Sequence, residues 1–166
     1  MTNRRSFLQK LWLMTAGFLP LASFAKTSRG KYLQSRNVVV TLYVHTATID
    51  KPDESKYCNF GQPDDVSNEN FTTEINLGDT ITWQGVSLDS TSDVVNIVSI
   101  NYQGGKNVFG RNVLQGDNGT PQKVRAQPTL KTAVNESCKY AIQFTVTNNG
   151  TKRNGTFKID PVIQVH

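Results

Sequence analysis

The chain is poor in the side chains that most often build reactive centres. It has two cysteines, two histidines and two methionines in 166 residues. Both methionines, Met1 and Met14, fall near the start, so no methionine-ligated metal can form in the rest of the chain. His45 is the only internal histidine, and the other, His166, is the last residue. Nucleophilic catalysis of the Ser–His or Cys–His kind therefore has essentially one available base. His45 reads as a structural or exposed strand residue. No Gly-x-Ser-x-Gly elbow occurs. Gly104–Gly110 holds glycines and a lysine without the spacing of a phosphate loop, and reads as a turn.

Acidic residues are also absent before Asp50, which changes the meaning of the net charge of +5. Seven of the 18 basic residues lie at or before Arg36. Residues 37–166 carry the remaining 11 basic and all 13 acidic side chains, a net of −2. A nucleic-acid surface needs a basic face that neutralises phosphates. The body has no such excess, so no nucleic-acid partner is expected.

The first residues are organised as an export signal. Arg4, Arg5 and Lys10 precede the uncharged run Leu11–Ala25. That run has 15 residues, against the roughly 20 needed to span a bilayer, and contains Thr15, Gly17 and Pro20. Ser23-Phe24-Ala25 puts small side chains at the two positions read by signal peptidase, predicting cleavage after Ala25, with Ala22 as the second choice. Residues 1–25 are thus expected to form a signal-peptide helix, and 26–36 a basic linker. The alternative for the linker is a loose contact with an anionic membrane surface. The run Arg4-Arg5-Ser6-Phe7-Leu8 resembles the twin-arginine motif of bacterial export signals, Ser/Thr-Arg-Arg-x-Phe-Leu-Lys. Arg4, Arg5, Phe7 and Leu8 match it; Asn3 replaces the hydroxyl residue and Lys10 comes one place late. The resemblance implies recognition by the twin-arginine (Tat) translocase and a periplasmic or secreted destination. Signals of this kind are addresses, not anchors. A general secretory signal is the alternative.

An oxidising destination and an even cysteine count predict a Cys58–Cys138 disulfide. In the chain-entropy picture a bridge closing so long a loop contributes roughly 4–5 kcal/mol.

Residues 37–166 read as an all-β domain. Val38, Val40, Leu42 and Val44 alternate with Val39, Thr41, Tyr43 and His45. Phe71, Thr73, Ile75 and Leu77 form a second alternating set, and Ile81 and Trp83 a third after the Gly78-Asp79 turn. Residues 93–102 are rich in Val and Ile. Tyr140, Ile142, Phe144 and Val146 alternate up to the turn Asn148-Asn149-Gly150. Residues 155–159 and 162–165 complete the series around the Asp160-Pro161 break. No run has helical spacing. Six to eight short strands in this length predict a single antiparallel β-sandwich, cupredoxin- or immunoglobulin-like. Two long connections, 48–70 and 103–121, are the candidate contact surfaces. Asp89–Asp93 and the acidic 48–70 stretch are candidate oxygen ligands for calcium, without EF-hand spacing.

The run Gly78-Asp79-Thr80-Ile81-Thr82-Trp83 resembles the Gly-Asp-Thr-Val-Thr-Trp strand of cupredoxins. That family's copper site needs two histidines, a cysteine and usually a methionine, a set this chain lacks beyond its signal. The likeness implies sandwich architecture, and no cofactor is expected. Val38–Val44, Gly78–Trp83 and Phe157–Val165 together resemble the PixA/AidA family of bacterial inclusion-body proteins. That family brings no established catalytic residues, and its members generally lack an export signal. The expected function is that of an exported, non-catalytic binding or structural protein. The alternatives are a periplasmic enzyme acting through carboxylates, for example on carbohydrate, and a cofactor- or metal-carrying Tat substrate.

Overall fold

A computed structural model describes residues 34–166. Arg4, Arg5, Phe7, Leu8, Ala25 and most of the linker lie outside the described residues. Val38 to Val44 alternate as their sequence predicts: Val40, Leu42 and Val44 are buried, while Val39, Thr41 and Tyr43 are not. This is strand β1 (Asn37–Val44), and ten more follow. They are β2 (Cys58–Asn59), β3 (Thr72–Ile75), β4 (Thr80–Ser87), β5 (Val94–Gly105), β6 (Val113–Gln115), β7 (Val124–Ala126), β8 (Cys138–Asn148), β9 (Thr151–Lys152), β10 (Phe157–Ile159) and β11 (Val162–Val165). The only helical elements among the described residues are two 3-10 turns, Glu54–Tyr57 and Asn68–Asn70.

The strands form two sheets. One has the order β2-β1-β4-β7; the other has the order β3-β11-β8-β5-β6, with β9 and β10 also paired to β8. Both are mixed, which corrects the antiparallel expectation. β1 runs parallel to β4, from Asn37 opposite Thr80 to Val44 opposite Ser87. β3 runs parallel to β11. The reason is the path between β1 and β4. The chain leaves β1 at Val44, crosses to the other sheet as β3, and returns through the Asn76–Asp79 turn to the starting end of β1. Thr80 then begins beside Asn37. The last strand, β11, inserts between β3 and β8.

One apolar core lies between the sheets. Trp83 of β4 and Tyr140 of β8 meet across it, and the indole Nε1–H donates to the Tyr140 hydroxyl at 3.0 Å. Both side chains are buried, and their rings meet edge to face at 5.6 Å. Buried Trp and Tyr each need a polar partner, and here each supplies the other's. Val95, Ile97, Ile142, Phe144 and Ile163 fill the space around them.

The body differs from its sequence reading at the long connections. Ile49, Phe60 and Asn68 are buried, so residues 48–70 are packed rather than loose. Val108 and Phe109 are buried in the other connection, which also contains β6. Gly104 and Gly105 close β5, and the turn read over Gly104–Gly110 falls at Val108-Phe109. Leu77 does not join the inward set; it lies beyond the end of β3 and is 43% exposed. The predicted disulfide is not formed: Cys58 and Cys138 are both free and buried. Cys58 sits opposite Val44, in the sheet of β1, and its thiol donates to the Glu54 carbonyl at 3.1 Å. Cys138 opens β8 in the other sheet, opposite Gly105, at the end of β5 far from the β4–β5 connection. Each thiol is thus packed in its own sheet, and burial pushes Cys58 up to about 12.

Candidate functional site

Polar side chains gather at the end of the sandwich where β4 passes into β5. Thr46, one residue beyond His45, is fully buried there. Its hydroxyl contacts Asp93 and Ser87, with Ser87 Oγ at 2.7 Å and Asp89 Oδ2 at 3.4 Å. His45 Nδ1 lies 3.0 Å from Asp89 Oδ1, and the Ala47 amide donates to Asp89 Oδ2 at 2.7 Å. Asp93 accepts from Asn148 Nδ2 at 2.8 Å and from the Asn149 amide at 3.0 Å. Asn149 and Gly150 both have positive φ, 48° and 75°, as the tight β8–β9 turn requires. Arg153 donates from Nε to the Thr46 carbonyl at 3.1 Å, and also binds the Ala47 carbonyl. Three chain segments, 45–47, 87–93 and 148–153, are tied by these contacts.

The electrostatics follow the hydrogen bonds. The Ala47 amide, and after it His45, hold the Asp89 carboxyl below 3.8. Thr46, Asn149 and Asn148 do the same for Asp93. Both carboxyls are therefore anions over the neutral range. His45 is half exposed. Of the residues predicted to carry chemistry, the structure brings His45 together with Asp89, and Asp89 together with Asp93 through Thr46. Among the described residues, no hydroxyl or thiol bonds the His45 ring, whose side-chain partner is Asp89. Among the described residues no group of three His, Cys, Asp or Glu side chains could hold a metal ion.

The same use of carboxylates recurs elsewhere. Asp79, 3% exposed, accepts from the Arg36 amide at 2.8 Å, the Asn76 amide at 3.0 Å and the Arg36 guanidinium at 3.1 Å. The two amides and the cation hold its carboxyl at about 2. Asp117 accepts from the amides of Gly119 and Lys123, both at 3.0 Å, which also lower it. The Gly78-Asp79 dipeptide was readable as a turn, but Asp79 as the clamp for the start of β1 was not, because its partner lies 43 residues away.

A second feature is an open groove of about 510 Å³ in the 48–70 connection, lined in part by Lys56, Asn59, Gln62, Asp64 and Asn68. Its floor is held by two amides. Gln62 accepts from the Phe60 amide at 2.6 Å and donates to Asn68 Oδ1 at 2.8 Å. Asn68 donates to the Cys58 carbonyl at 2.8 Å. Neither residue lies in a periodic stretch, and nothing in the sequence marks either of them out. Phe60 and Phe71 stack at 4.6 Å beneath the same connection and pin it to β3.

No protein-family model matches the chain, and a search of characterised proteins finds no significant relative. Among solved structures, the fold is similar to the crystal structure of the inclusion body protein PixA from Burkholderia cenocepacia J2315. The two share 14% identity at a TM-score of 0.59, over 84% of this chain and 100% of that one. At that identity the likeness is one of fold: this chain carries the PixA-type two-sheet architecture.

Proposed function

We propose that the chain is exported and then acts as a non-catalytic β-sandwich with a binding or structural role. The observation that carries this reading is the use made of its lowered carboxylates. Asp79, Asp89, Asp93 and Asp117 each accept backbone N–H groups, and each is held below its ordinary range. An enzyme working through paired carboxylates needs one acid raised enough to hold a proton near neutral pH. These four are arranged the opposite way, as fasteners between distant segments. The PixA-type fold supports the same reading, since that structure's protein is named for inclusion bodies rather than for a reaction.

The export half of the reading rests on Arg4, Arg5, Phe7 and Leu8, followed by the Leu11–Ala25 run. Receptor-read export by the Tat translocase and removal of the signal by signal peptidase after Ala25 would deliver residues 26–166 to the periplasm or beyond. The test is pulse-labelling with cell fractionation of the wild type and of Arg4→Lys/Arg5→Lys. The wild type should appear shortened in the periplasmic or extracellular fraction, and the double variant should remain full length inside the cell. Normal processing of the double variant overturns the twin-arginine route.

A further inference from the structure

The two edges of the sandwich carry opposite charge. β2 and β3 lie at one end of their respective sheet orders, and β7 and β6 at the other. The Phe60–Phe71 stack places β2 and β3 on the same side. The Asp117 amide, just after β6, donates to the Lys123 carbonyl at 2.8 Å, which places β6 and β7 together on the opposite side. Residues 50–74, which build the first edge, contain seven acids and two lysines. One of those lysines, Lys56, is already paired with Asp53 at 2.8 Å. Residues 106–126, which build the second edge, contain four basic side chains and one acid. The charges face solvent: Asp64, Asp65, Glu69 and Glu74 are exposed on one edge, and Arg111 and Arg125 on the other. Near the acidic edge, Lys158 is paired with Asp160 and Arg153 with the Thr46 and Ala47 carbonyls, leaving Lys152 at its hairpin tip and Lys131, whose neighbour Thr132 bonds the Val165 carbonyl of β11.

We propose that the chain associates with further copies of itself, head to tail, the acidic β2–β3 edge of one copy against the basic β6–β7 edge of the next. A near-neutral body would show little pull toward a charged partner of one sign. One with its charge divided between opposite edges attracts its own kind in a single orientation. Such a contact is heterologous, so each copy keeps a free edge of each sign and the association is open-ended. The acidic edge also holds the groove floored by Gln62 and Asn68, into whose rim Asp64 projects its charge. This deepens the structural reading above by naming the partner. Failure of the Arg4→Lys/Arg5→Lys export test leaves it untouched, and a monomeric protein leaves export untouched.

Sedimentation of the purified protein across concentration and salt tests the proposal, with two folded-state variants checked by circular dichroism. Asp64→Lys/Asp65→Lys cancels most of the acidic edge's excess, and Arg111→Glu/Arg125→Glu cancels that of the basic edge. At about 10 mM salt, where charges act over roughly 30 Å, the wild type should gain mass with concentration; at about 1 M, where the range is roughly 3 Å, it should not. Each variant alone should lose that association, and their equimolar mixture should form pairs through the one intact edge of each. A wild type that stays monomeric at low salt, an association that salt leaves unchanged, or a mixture no heavier than its components overturns the proposal.

Discussion

The middle of the sandwich and its Ser87–Asp93 end are held by different means. In the middle, Trp83 and Tyr140 make one buried hydrogen bond inside an apolar shell. At the end, Thr46, Asp89 and Asp93 form a chain of contacts to three loops, with His45 at its exposed rim. The middle fixes which sheet faces which. The end fixes where the connections lie on that frame. Polar groups at the end are anchored to backbone donors, so they shape loops rather than offer free chemistry.

Removing each part should cost different amounts. Trp83→Ala is expected to have the largest effect, a loss of about 3–5 kcal/mol read from urea unfolding, because it empties the centre of the core. Tyr140→Phe keeps the packing but strands the indole N–H, for a loss of about 1–3 kcal/mol. A loss well below that range for Tyr140→Phe would mean that water or another acceptor replaces the hydroxyl. Asp79→Ala frees the Arg36 and Asn76 amides near the surface, where water can reach them, and should fall at the low end of about 1–3 kcal/mol. Asp89→Asn should have the smallest effect on stability and should leave the β-sheet circular dichroism unchanged.

The acids also set the direction of the pH dependence. Their folded values are lowered, so their contribution is fully present above the unfolded value near 3.8. It is lost as pH falls from there, through about 2 for Asp79. Urea midpoints should therefore drop over that window, and Asp79→Asn should flatten part of the drop.

The parts of the fold governed by local alternation were legible in the sequence. Val38–Val44, Ile81–Trp83 and Tyr140–Val146 turn their predicted inward residues to the core, because burial of that face dictates the register, while Thr82, Ala141 and Thr145 on the opposite faces are covered as well. Pairing was not legible. Nothing local distinguishes a strand whose neighbour runs parallel, and β1 with β4 meets that way only because β3 carries the chain back. The two-residue strands β2 and β9 are too short to show a period. At the polar end, His45, Asp89 and Asp93 were visible as single residues. Thr46, the buried group that joins the acids, sits in no motif, and its bonds to Asp89 and Asp93 span 43 and 47 residues. The cysteines misled for a similar reason: their count suggested a pair, but the topology places them at opposite ends of the sandwich, Cys58 beside the end of β1 and Cys138 beside the end of β5.

The central claim is that the lowered carboxylates are fasteners and not an acid–base pair. Carboxyl-carbon NMR titration of the folded protein tests it residue by residue. Asp79, Asp89, Asp93 and Asp117 should all titrate below the ordinary 3.8, with Asp79 at about 2. Any of the four titrating well above 3.8, and so still protonated near neutral pH, would contradict the account and return the site to the class of carboxylate catalysts.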